Sequence, residues 1–115
     1  MMYMEDQKLN AIHTLQLDKQ QILRLLFDHR AELKTFFVSK IGLFGSFERN
    51  EQTSESDIDF LIEFLPGKKT FRNYIRVLNF LEEIFHRKID LVINGSIKPA
   101  LKQKILESVE YATIS

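Results

Sequence analysis

The sequence predicts a small α/β sandwich with helices packed against one sheet. Two local patterns and one order carry that prediction. The stretch "DIDFLIEFL", 57–65, places Ile58, Phe60, Ile62 and Phe64 on one side and Asp57, Asp59, Leu61 and Glu63 on the other, as a strand with one apolar face does. The stretch "TFRNYIRVLNFLEEIFHR", 70–87, repeats apolar residues at 71, 74, 75, 77, 78, 81, 84 and 85, the stripe of an amphipathic helix. Segments of the two kinds succeed one another as helix, strand, strand, helix, strand, helix, which a layer of helices on a single sheet accommodates.

Each element has its own signal. "DKQQILRLLFDHRAELKTFF", 18–37, is helical by the spacing of its apolar residues, with Asp18 as N-cap. "VSKIGLF" then predicts a strand from Val38 to Phe44, ended by Gly45-Ser46. Residues 48–56 are polar and rich in Ser, Thr, Asn and Glu, hence a loop or short capped turn. Pro66-Gly67 stops the strand at 57–65, and Thr70 caps the helix that follows. "KIDLVIN", 88–94, is a third strand, bounded by Asn94-Gly95. Residues 97–110 form a last helix, and "YATIS" adds a short extended end.

At 115 residues the chain is one domain, residues 1–115, with 1–17 expected to be peripheral. Sixteen Lys and Arg balance sixteen Asp and Glu, so no global attraction to nucleic acid or anionic membrane exists. The absence of cysteine excludes disulfides and thiolate metal sites. No run approaches a membrane span, and the start lacks the layout of a signal peptide, so the expectation is a cytoplasmic protein. Charge is uneven locally: between Gly45 and Leu65 six acids (Glu48, Glu51, Glu55, Asp57, Asp59, Glu63) face one base, Arg49.

Asp57 and Asp59 leave the same face of a strand, with Cα atoms roughly 6.5 Å apart. Carboxylates so placed repel, and oxygen-only ligands with no cysteine favour a hard cation such as magnesium, held together with water and substrate phosphates. An isolated Asp-x-Asp is more simply a strand start and a salt bridge. Three neighbours add weight: the Gly45-Ser46 turn, whose backbone and hydroxyl suit a phosphate; Arg49, within reach of the same phosphates; and Asp90, a third acid inside an apolar strand.

The span 45–60, "GSFERNEQTSESDIDF", resembles the signature of the DNA-polymerase-β-type nucleotidyltransferase superfamily, and its finer pattern resembles the minimal nucleotidyltransferase branch, many of whose members are antitoxins paired with a HEPN-domain toxin. Gly45, Ser46, Arg49, Ser56, Asp57, Asp59 and Asp90 match the pattern; Glu48 stands where Ala is usual and Asn50 where Gly is usual. The resemblance implies a small mixed sheet of polymerase-β type. It also implies ATP as substrate, Mg2+ held by Asp57, Asp59 and Asp90, and phosphates positioned by Gly45, Ser46, Arg49 and Ser56. The partner it implies is a HEPN-type toxin, bound in a hetero-oligomer and modified by AMP. A binding module that neutralises its toxin without catalysis is the alternative that Glu48 favours, and transfer to a small molecule is a third. No standing nucleic-acid partner is expected. His13, His29 and His86, the basic residues Lys68, Lys69, Arg72 and Arg76, and Glu63 read as structural or solvated.

Overall fold

A computed structural model describes residues 17–114. The reading of His13 and that of residues 1–17 as peripheral therefore lie, except for Leu17, outside the described residues. Helix α1 spans Lys19–Asp28 and starts in a capping box, with Asp18 accepting from the Gln21 N–H and the Gln21 side chain accepting from the Asp18 N–H. The helix expected over 18–37 is broken in two. His29 adopts φ −102°, ψ 20°, which interrupts the ladder, and α2 runs separately over Arg30–Thr35. Side chains hold the break: His29 Nδ1 lies 2.7 Å from the Glu32 carboxylate, and Arg30 donates to the Phe27 carbonyl while lying over the Phe27 ring.

Strands β1 (Val38–Phe44) and β2 (Ile58–Phe64) pair antiparallel. Helix α3 (Phe71–Phe85) begins where the Thr70 hydroxyl accepts from the Asn73 N–H and ends at His86, in the left-handed conformation. It returns the chain so that β3 (Ile89–Ile93) lies parallel to β2. Helix α4 spans Pro99–Ser108, and the extended end expected after it is β4 (Glu110–Tyr111), antiparallel to β1. The result is a mixed four-stranded sheet in the order β3-β2-β1-β4.

One face of the sheet is the core. Ile41, Leu43, Ile58, Phe60, Ile62, Ile89 and Leu91 meet Ile22 and Leu26 of α1, Leu33 of α2, and Val77, Leu81 and Phe85 of α3, all buried. The helices α1–α3 thus cover one face, as the periodicities predict. Helix α4 buries no residue and instead flanks the opposite face, the one that carries Asp59 and Asp90. No described helix is long and apolar enough to cross a membrane.

Candidate active site

The register of the sheet assembles the site. Phe44 pairs with Asp59 across β1 and β2, and Asp59 pairs with Asp90 across β2 and β3. Directly paired residues share a face, so Phe44, Asp59 and Asp90 form a row across three strands, on the side away from the core. Asp57 precedes β2 by one residue, two positions before Asp59 along the chain.

Asp59 is the electrostatic centre. Burial first, then the charge of Asp90, a hydrogen bond with the Asp90 carboxyl and the charge of Asp57 push its pKa from 3.8 up to about 6, against the pull of Arg49. The charges of Asp90 and Asp57 thus both act on Asp59. The three carboxylates do not form a ready cage: among the described residues, no three or more His, Cys, Asp or Glu side chains are gathered to hold a metal ion. The donor chemistry nonetheless fits magnesium, because the oxygens are hard, mutually repelling and partly shielded. That ion is commonly held by one or two carboxylates, with substrate phosphates supplying further ligands.

Gly45 ends β1 at φ +76°, and a β-carbon there would overlap the Asp59 carboxylate. The glycine is thus needed for the backbone conformation and for the room that Asp59 occupies. One helical turn follows. Its bonds run from the Arg49 N–H to the Gly45 carbonyl, the Asn50 N–H to Phe47 and the Glu51 N–H to Ser46. The last two form a Schellman closure with Asn50 at the left-handed position, φ 58°. Asn50 therefore serves where glycine is usual, as its tolerance of that conformation predicts. Phe47, fully buried, anchors the turn to the core.

Arg49 is half exposed, and its Nε donates to Glu51 at 2.8 Å. The carboxylate of Glu51, and beyond it those of Glu48 and Asp59, hold the guanidinium charged. Glu48 neither faces open solvent nor pairs with Arg49. Its side chain is 19% exposed and its carboxylate lies 4.0 Å from Lys19 of α1, which also pairs with Glu110. Ser56 has its hydroxyl turned to Thr53, accepting from the Thr53 N–H at 2.8 Å, so it shapes the loop that delivers Asp57. Glu63 accepts from the Asn94 amide at 2.8 Å, a structural contact between β2 and the end of β3. Lys68, Lys69, Arg72 and Arg76 are exposed, as a solvated surface should be.

Beside the carboxylates lies a groove of about 350 Å3, lined by Phe44, Gly45, Arg49, Asp90 and Val92 on the sheet side and by Leu101, Lys104, Ile105 and Ser108 of α4. Sequence reasoning missed the contribution of α4, since the groove exists only once the helix is folded over the sheet. It also missed Arg87 and Tyr74. The Tyr74 hydroxyl donates to the Leu91 carbonyl at 2.6 Å, next to Asp90. Arg87 donates to the Ser56 carbonyl at 3.0 Å. Its position three residues before Asp90 was the only signal available in the sequence.

A mixed sheet with three helices on one face and acids on adjacent strands of the other, beside a glycine-led turn, defines a nucleotidyl-transferring domain as a class. The chain belongs to the nucleotidyltransferase domain family, whose sequence pattern matches residues 26–112. A Methanocaldococcus jannaschii protein, provisionally named a protein adenylyltransferase, is 39% identical over 94 residues, spanning 79% of this chain and 94% of its own length. The protein adenylyltransferase MntA of Thermococcus cleftensis is 34% identical over 95 residues, spanning 80% and 93%. A solved structure, provisionally described as a minimal nucleotidyltransferase, superposes with a TM-score of 0.63 at 25% identity, over 76% of this chain and 93% of that one. A complex of the tri-AMPylated Shewanella oneidensis HEPN toxin with an MNT antitoxin contains the same fold, at a TM-score of 0.56 and 19% identity, over 79% and 73%.

Proposed function

We propose that this chain transfers AMP from ATP to a hydroxyl group on a partner protein, and that the partner is a HEPN-type toxin held in a hetero-oligomer. The observation that carries the transfer is the Asp59–Asp90 pair, in register on adjacent strands beside Gly45. The relatives named protein adenylyltransferases support a protein acceptor. The motif resemblance supports the toxin, and assemblies of that kind share the fold.

In this reading Asp57, Asp59 and Asp90 hold Mg2+ together with the triphosphate. Bound there, the ion neutralises phosphate charge and makes the α-phosphorus more electrophilic. The protein's own groups orient and neutralise. The first N–H groups of the turn at Ser46 have no partner within it and, with the Ser46 hydroxyl, face the β and γ phosphates. Arg49 supplies positive charge beside them, and the groove between Phe44, Val92 and α4 receives the nucleoside. Asp90, the more exposed of the pair, accepts the proton of the incoming hydroxyl. The acceptor oxygen bonds to the α-phosphorus as its bond to the β-phosphate bridge breaks, and pyrophosphate leaves. Positioning and charge neutralisation carry most of the barrier lowering.

Glu48 was the feature that favoured a purely steric antitoxin; its carboxylate lies 4.0 Å from Lys19, which supports the catalytic reading over the steric one. The test is to incubate the protein, Mg2+ and the protein encoded beside it with ATP labelled at either the α or the γ phosphate. Label should reach the partner from the α position alone. Transfer from the γ position, or none from either, contradicts the proposal.

A further inference from the structure

The structure assigns Arg87 as a positioning residue that locks the three separate pieces of the nucleotide site to one another. The inference rests on the reading of Asp57, Asp59 and Asp90 as that site.

Arg87 lies in the connection between α3 and β3, outside every motif residue. Its Nη1 donates to the Ser56 carbonyl at 3.0 Å, directly before Asp57. Its guanidinium lies over the ring of Phe47, 5.3 Å from the centroid, directly after Gly45-Ser46. It stands three residues before Asp90, and its neighbour Lys88 accepts from the Ile58 N–H at 3.1 Å, between Asp57 and Asp59. From the head of the strand that carries the third acid, one side chain thus reaches both the glycine-led turn and the start of the Asp-x-Asp strand.

The chemistry suits the task. Phe47 is fully buried, so its ring fixes where the turn sits, and the Arg87 guanidinium lies over that ring. A planar cation can stack on that ring and still donate in its own plane to a carbonyl, which an aliphatic side chain cannot do. The Ser56 hydroxyl is already committed to Thr53, so the Ser56 carbonyl and hydroxyl together fix the direction in which Asp57 leaves the loop. Groups that orient the ligands of a metal–phosphate site commonly matter nearly as much as the ligands.

The test measures binding of Mn2+ with α,β-methylene ATP to the full chain by calorimetry, below the melting temperature of each variant. Melting curves are recorded in parallel. Wild type should bind, Asp59→Asn should lose binding, and folded Arg87→Met should bind about tenfold or more weakly. Arg87→Lys, which keeps the charge and a donor but not the plane, should fall between Arg87→Met and wild type. A purely structural arginine would lower the melting temperature and leave the affinity of the folded protein unchanged. Folded Arg87→Met binding as tightly as wild type overturns the inference. If Arg87→Met does not fold, Arg87→Lys binding as tightly as wild type overturns it equally. Failure of wild type to bind overturns the underlying site and the inference with it. Binding that Asp59→Asn abolishes and both Arg87 variants retain overturns the inference alone.

Discussion

Asp59 and Asp90 stand opposite one another on parallel strands, with the pKa of Asp59 pushed up to about 6 by its burial and by the neighbouring Asp90 carboxyl. An acid that binds its proton more tightly folded than unfolded favours the fold in acid. Stability from this source is fully present below the ordinary value of 3.8, falls as pH rises towards about 6, and is flat above it. Asp59→Asn removes the dependence. The variant should match wild type near pH 4 and exceed its stability at pH 7 by about 1 kcal/mol, allowing for solvent screening. Urea midpoints at the two pH values measure the difference.

Gly45 and Asp59 compete for one volume. Gly45→Ala should destabilise by about 2–4 kcal/mol, from the positive φ and from overlap with the carboxylate. In an Asp59→Ala background the overlap with the carboxylate is gone, and the backbone strain and a tight 3.1 Å contact with the remaining β-carbon are left, so the same change should cost about 1–2 kcal/mol. A double-mutant cycle of thermal or urea unfolding reads the coupling. Equal penalties in both backgrounds would contradict the contact.

Asn50 carries the left-handed closure of the turn. Asn50→Gly should change stability by less than about 0.5 kcal/mol, whereas Asn50→Val should cost about 1–2 kcal/mol, because a branched β-carbon resists that conformation. The order of the two melting temperatures checks it.

Glu48 faces Lys19 on α1. Glu48→Ala should therefore cost less than about 1 kcal/mol and alter nucleotide affinity by less than about threefold. Calorimetric titration with the magnesium complex of an ATP analogue decides this. Affinity that rises tenfold or more would place the carboxylate against the phosphates instead.

The sequence was legible wherever a local pattern determines the outcome. The alternation of 58–64 places Asp59 on the face of β2 opposite Ile58, Phe60 and Ile62, and the strand from Val38 to Phe44 has the predicted ends. Thr70 and Asp18 cap the helices expected of them. What was not legible depends on contacts between distant residues. The break at His29 involves no glycine or proline, only an imidazole that reaches Glu32 and packs on Phe80. Gly45 was explicable as a turn residue before the structure, but the carboxylate beside it comes from another strand. Arg87 reaches a carbonyl 31 residues away. The groove needs α4, whose apolar residues are too sparse to say which face of the sheet it flanks.

The most direct measurement is transfer of α-labelled AMP to the partner by wild type and by Asp57→Ala, Asp59→Ala and Asp90→Ala, each first shown to fold and to bind the partner. The account predicts labelling by wild type and its loss, by about a hundredfold or more, in all three variants with partner binding intact. Undiminished labelling by the variants, or no labelling by a wild type that binds its partner, would contradict it.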